Sequence, residues 1–176
     1  MKKLALAFLS TIVVACSTLA TEPAAAPVIS ISTDEIHADS GVLRGRRLVS
    51  SGQPDREILS SAKAAGFKAI IDLRGADEDR GFDEAAAVTE LGMTYIALPV
   101  RGAQDVNFDN AEKLDTILND IDGPVLLHCA SGNRVGALVA LRASLNGASD
   151  DDALKLGTAA GLTRLEPVVI QRLQAK

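Results

Sequence analysis

VLLHCASGNRVGAL, running from Val125 to Leu138, changes character twice within a short span. Val125 to His128 reads as a buried strand. A six-residue turn, CASGNR, follows, and a helix then starts near Arg134 with Leu138, Leu141 and Leu145 at helical spacing. A strand that enters a helix through a glycine-containing turn is the repeating unit of a parallel α/β sheet.

Outward from this segment the same alternation continues. Ala69 to Leu73 and Thr94 to Leu98 are two further β-like runs, and Leu48-Val49-Ser50 is a fourth, placed at an edge. Helices are predicted between them. One spans Pro54 to Ala65, with Ile58, Ala62 and Ala65 on its inner face, and another spans Asp83 to Leu91. A third, from Asn107 to Ile121, carries Phe108, Ala111, Leu114, Leu118 and Ile121, and Gly123-Pro124 ends it. Beyond Asn146-Gly147, Ser149 with Asp152 resembles a capping box, and a last helix opens near Pro167 with Leu165, Val169 and Leu173. The expected fold is therefore a single α/β domain, its central sheet of four to five strands largely parallel and covered by helices on both faces.

The turn from Cys129 to Arg134 also carries chemistry. It lies at the carboxyl end of a strand, where ligands bind in open α/β sheets. The following helix offers unpaired N–H groups and a positive dipole to an anion. Gly132 lets the backbone of Ala130, Ser131, Gly132 and Asn133 turn those groups inward as an anion-binding nest with Arg134. A cysteine at the rim of such a nest is expected to be thiolate at neutral pH, the form that acts as a nucleophile. Arg134 adds a planar fork able to hold two oxygens of a phosphoryl group.

HC followed by a glycine-containing loop and Arg resembles the signature of the protein tyrosine and dual-specificity phosphatases. The wider chain resembles a bacterial group of phosphatase-like domains, also found joined to metallo-β-lactamase-like sulfur enzymes. SGQP at Ser51 to Pro54, AGFKAIIDLR at Ala65 to Arg74, Leu98-Pro99-Val100, HCASGNR, and AAGLTRLEP at Ala159 to Pro167 carry the likeness. It implies a phosphatase-like fold and a phosphoryl-cysteine mechanism with Cys129 as nucleophile and Arg134 as oxyanion holder. By the same resemblance His128 shapes the loop, and a carboxylate ahead of the cysteine protonates the leaving group. Asp105 and Asp109 are the nearest candidates, with Asp105 preferred because it lies on the loop itself. Their plainer reading is that Asp105 or Asn107 caps the following helix and Asp109 favours its first-turn dipole.

Two departures keep other chemistry open. Four residues separate Cys129 from Arg134, where the phosphatases have five, and Val135 stands where they usually carry a hydroxyl. The shorter loop is closer to that of rhodanese-like sulfurtransferases, which implies a persulfide-handling enzyme as the runner-up. An anion-binding module without turnover is the third reading. The expected partners are a phosphorylated or sulfane-sulfur small molecule or protein. No cofactor is implied, and two histidines, His37 in the tether and His128, do not make a zinc site. Arg74 is a candidate for drawing anions to the mouth, although a salt bridge with Asp72 is the simpler fate. Asp77-Glu78-Asp79-Arg80 reads as a solvated turn.

The chain has 176 residues, 47% hydrophobic and 23% charged, which fits one domain with a sizeable core and excludes wholesale disorder. Lys2 and Lys3 precede an apolar run from Leu4 to Ala15, too short to span a bilayer permanently. The run ends in Val13-Val14-Ala15-Cys16, which resembles a bacterial lipoprotein signal. Residues 1–15 are then removed and Cys16 is lipidated; the alternative is an ordinary signal peptide cut after Ala20. Residues 16–41 read as a flexible tether and 42–176 as the catalytic domain. The implied location is the periplasmic face of a bacterial membrane, or a soluble periplasmic or secreted form under the alternative cut. Loss of the two lysines takes the formal charge from −5 down by two, to −7. That sign opposes nucleic-acid binding and leaves a lipid as the only membrane contact.

Overall fold

The computed structural model describes Ile29, Ser30 and residues 48–176. The leader, Cys16 and the tether lie outside the described residues, apart from Ile29–Ser30. Five strands and six α-helices follow one another as β1 (Ile29–Ser30), β2 (Leu48–Ser51), α1 (Arg56–Ala64), β3 (Ala69–Asp72), α2 (Glu84–Glu90), β4 (Thr94–Ala97), α3 (Phe108–Asp120), β5 (Val125–His128), α4 (Asn133–Leu145), α5 (Asp150–Ala159) and α6 (Glu166–Gln174). A 3-10 turn, Ala103–Asp105, precedes α3.

The strand order is β1-β2-β5-β3-β4. β2, β5, β3 and β4 are parallel, and β1 adds antiparallel to β2. The expected α/β architecture is the observed one. Leu48-Val49-Ser50, read as an edge strand, instead sits between β1 and β5.

Alternation along the strands divides the core in two. Leu48, Ala69, Ile71, Val125 and Leu127 face one side with α3, α4 and α6, whereas Val49, Ile70 and Leu126 face the other with Leu59, Ala62, Ala87 and Val88. In α1 it is Leu59 and Ala62 that are buried, while Ala65 is exposed, so the inner face expected for that helix is rotated. Asp55, Asp83, Asn107 and Ser149 each cap a helix through a side-chain oxygen, as short polar residues do at these positions.

Helix α4 is buried from Val135 to Ser144, without a polar face, because α3, α5, α6 and the sheet surround it. This central helix fixes the start of the turn at Cys129. Its contact with α5 depends on Gly136. A Cβ there would stand 2.1 Å from Leu162 N and 2.5 Å from Gly157 O, both backbone atoms that cannot rotate away. G136A is therefore expected to destabilise the protein by about 1–3 kcal/mol, read as a lower urea midpoint.

Candidate active site

The described β5 strand ends at His128, and α4 begins at Asn133. Between them Gly132 adopts φ +83°, a left-handed conformation that L side chains rarely reach. Its N–H turns back to donate to Cys129 Sγ at 3.1 Å. The loop is pinned on its outer side by the Gly52↔Ser131 bridge and by Gln53 N–H to Ala130 O at 3.4 Å. Ala130 and Ser131 are exposed, while Cys129 is 1% exposed. The sulfur expected at an open rim thus lies at the floor of the turn, against the aliphatic core.

Arg134 sits on the first turn of α4. Its Nη1 donates to Glu78 Oε1 at 2.6 Å and its Nη2 to Glu78 Oε2 at 2.8 Å, with Nη1 also donating to Val100 O at 2.9 Å. This end-on grip occupies the tip of the guanidinium. Hydrogen bonding to Glu78 raises the Arg134 pKa against the opposing effect of burial, and the charge of Cys129 adds to the rise. Glu78 thus holds the far end of the guanidinium. The same bonds, with the Gly75 N–H, hold the Glu78 carboxyl at about 2 against an ordinary 4.5.

Asp77-Glu78-Asp79-Arg80 is accordingly only half a solvated turn: Asp77 and Asp79 are exposed, while Glu78 and Arg80 turn inward. Glu78 serves Arg134, and Arg80 reaches inward to place Nε and Nη2 2.6 Å from Asp72 Oδ2. Asp72 is fully buried and also accepts from Tyr95 Oη at 2.8 Å and from Arg74 N at 2.7 Å. Burial and that Asp72 bond push the Tyr95 hydroxyl pKa up. Beside them, His128 Nε2 lies 2.8 Å from Glu84 Oε1, both side chains fully enclosed. The pair approaches without hydrogen-bond geometry, and Asp72 Oδ1 lies 3.7 Å from the same nitrogen.

Asp72, Glu84 and His128 could each offer one ligand atom to a metal, all within 4.8 Å of one another. Arg80 already supplies a cation to these carboxylates, 2.6 Å from Asp72 and 3.9 Å from Glu84. The donor set therefore fits an internal ion cluster better than a metal centre.

Other sequence candidates fall into place around this core. Asn133 turns away from the cradle: its Oδ1 accepts from Thr163 N, Thr163 Oγ1 and Leu165 N, which ties α4 to the α5–α6 connection. Asp105 Oδ2 accepts the Arg101 N–H at 2.8 Å and closes the loop that begins at Val100. Asp109 lies in the first turn of α3 and is exposed. Arg74, half-expected to face anions, is spent on Glu78 Oε2 at 3.2 Å, Asp79 O at 2.7 Å and the side-chain oxygen of Gln53. Gln53, Glu78 and Glu84 went unassigned in the sequence. SGQP was visible as a motif, but nothing local shows what its Gln meets.

The family described as "Beta-lactamase hydrolase-like protein, phosphatase-like domain" matches residues 44–146. The chain belongs to this family. A Beta-lactamase hydrolase-like protein of Xylella fastidiosa is 33% identical over 120 residues, covering 65% of this chain and 28% of its own length. The chain thus spans little more than a quarter of that relative. Among solved structures, one from Neisseria meningitidis described as a candidate phosphatase superposes with TM-score 0.62 at 24% identity, covering 73% of this chain and 93% of that one. A cysteine-to-serine form of TpbA from P. aeruginosa, in complex with phosphotyrosine, superposes with TM-score 0.53 at 18% identity, covering 72% and 78%. The domain has the phosphatase-like fold.

The depressed Glu78 pKa has a signed consequence. A carboxyl lower in the folded than in the unfolded chain stabilises folding above about 4.5, and the contribution fades as pH falls towards about 2. Urea titrations of wild type and E78Q should therefore differ at neutral pH and converge across that window; a gap that persists at pH 2 would contradict the assignment.

Proposed function

We propose that this domain is a cysteine-dependent phosphatase. One observation carries the reading: at the end of β5 the Cys129 sulfur accepts the Gly132 N–H, and Arg134, on the first turn of the helix that follows, is held by Glu78. Because Glu78 takes Nη1 and Nη2 end-on, the side edge of the guanidinium, Nε with Nη2, is the edge left to meet an oxyanion.

In this mechanism the Cys129 thiolate attacks phosphorus and the bond to the leaving oxygen breaks. Arg134 and the loop amides hold the equatorial oxygens as charge develops. Asp105, on the loop whose Val100 carbonyl Arg134 touches, gives the leaving oxygen its proton. Water then attacks the phosphocysteine, releasing orthophosphate and returning the thiolate, with the proton going back to the carboxylate. The phosphotyrosine complex of TpbA supports a phosphomonoester as the substrate class.

The sulfurtransferase reading keeps one specific support. Val135 is wholly buried and brings no hydroxyl to the cysteine, so departure of the thiolate from phosphorus lacks that assistance. The two chemistries separate in one assay of wild type and C129S against p-nitrophenyl phosphate and against thiosulfate with cyanide. Phosphate release by wild type and its abolition in C129S are expected. Thiocyanate formation without phosphate release would replace the phosphatase by the sulfur enzyme. R134K should lower kcat/KM by about a hundredfold or more, since lysine has no planar fork. D105N should slow phenyl phosphate more than p-nitrophenyl phosphate, whose leaving group needs less protonation; equal slowing would remove Asp105 from the proton-donor role.

The amino terminus supports export as a lipoprotein. Loss of radiolabelled palmitate from a C16A variant is the expected result, and unchanged labelling would exclude that anchor.

A further inference from the structure

The contacts around Cys129 close on themselves. Arg134 is gripped by Glu78, and Glu78 Oε2 accepts from Arg74 Nε at 3.2 Å. Arg74 Nη1 donates to Gln53 Oε1, and Gln53 Nε2 donates to Glu84 Oε2 at 2.8 Å. Glu84 Oε1 meets His128 Nε2 at 2.8 Å, and His128 is bonded through the backbone to Cys129. A ring of polar contacts thus leaves the reactive turn at its helix end and returns at its strand end.

Gln53 is the primary amide of that ring and the joint between its halves. On one side stands a guanidinium, which only donates; on the other stands a carboxylate, which only accepts when ionised. A side chain between them must accept at one end and donate at the other. The primary amide does both. Its own backbone N–H reaches the carbonyl of Ala130 within the turn, at 3.4 Å, so the residue touches the loop directly as well.

We propose that Gln53 is a positioning residue: it locks Arg74 against Glu78, and through Glu78 sets the guanidinium of Arg134 at Cys129, while its amide fixes Glu84 under His128. The inference rests on the Cys129 chemistry proposed above. Replacing the amide by a carboxylate of the same shape, Q53E, sets two carboxylates against each other at Glu84 and breaks the ring at that point. Replacing Glu84 at the same time, in Q53E/E84Q, restores the alternation of donors and acceptors with the two groups exchanged. The carboxylate then stands at position 53 facing Arg74, and the amide at position 84.

The test uses the full chain as wild type, Q53E, E84Q and Q53E/E84Q. Three quantities are read: iodoacetamide alkylation of Cys129 at neutral pH, KM and kcat for p-nitrophenyl phosphate, and thermal melting. Slower alkylation and a KM raised roughly ten- to a hundredfold are expected for Q53E, from displacement of Arg134. Arg134 grips phosphoryl oxygens before the chemical step as well as during it, so KM moves. Simple loss of folded protein would lower the apparent kcat and leave KM in place. Partial recovery of both readings in Q53E/E84Q is expected, as coupling across a contact requires.

Unchanged alkylation and KM in Q53E overturn the proposal, as does a double variant whose defects are the sum of the single ones. Should Q53E fail to fold, Q53A breaks the same joint without adding charge and carries the same expectation for alkylation and KM. If no form releases phosphate but Q53E is still alkylated more slowly and the double variant recovers, the phosphatase reading falls and the positioning role stands. If Q53E turns over p-nitrophenyl phosphate like wild type, the phosphatase reading stands and the positioning role falls. A wild-type thiol alkylated no faster than free cysteine removes both.

Discussion

The backward turn of one N–H, from Gly132 to the sulfur three residues earlier, is the contact on which this site depends. It requires positive φ at position 132 and a helix that starts immediately afterwards, so sheet, turn and α4 cannot be specified separately. The buried helix supplies the rigidity. With Val135 to Ser144 enclosed, α4 cannot slide without disturbing the core, and its first turn holds Arg134 at a fixed place relative to β5.

Charge under the turn is arranged to the same end. Asp72 and Glu84 are carboxyl groups carried to the sheet's interior, an expensive placement unless countercharge comes with them. Arg80 brings it: burial is the largest single influence and opposes its charge, but the hydrogen bond and charge of Asp72, together with Tyr95, raise its pKa. Its remaining N–H groups are consumed by the carbonyls of Arg74, Gly75 and Glu78. One guanidinium thereby brings countercharge to the floor and shapes the segment that delivers Glu78 to Arg134. So tied, the cluster acts as scaffold beneath the turn.

The extent to which the sequence foretold this follows from the range of each interaction. Strands, helices, caps and the Cys129–Arg134 turn rest on neighbours within a few residues, and periodicity and turn chemistry exposed them. Glu78 and Arg134 are 56 positions apart, and Gln53 and Glu84 are 31 apart. Neither pair leaves a local trace. The run Asp77 to Arg80 looked solvated because alternating charges usually face water; Glu78 and Arg80 turn inward to partners brought in by the fold, while Asp77 meets Arg101 at the surface. The depth of Cys129 was missed for a related reason. Sequence places a residue at the end of a strand, but only the packing of Leu98, Val100 and α4 decides whether its side chain stands above or below the rim.

That depth bears on recognition. Deep slots that select an aryl group need an aromatic wall, and the aromatic side chains among the described residues are already engaged. Phe67 is buried in the core, Phe82 lies under the Arg56 guanidinium, Phe108 lies under Lys176, and the Tyr95 hydroxyl is tied to Asp72. What remains at the mouth is polar backbone, the exposed Ser131 and the Arg134 edge. In the proposed phosphatase, ring stacking therefore has little to work with, and selection would fall to the oxyanion itself: its charge, its size against a six-residue cradle, and how closely it can approach a sulfur held at the floor.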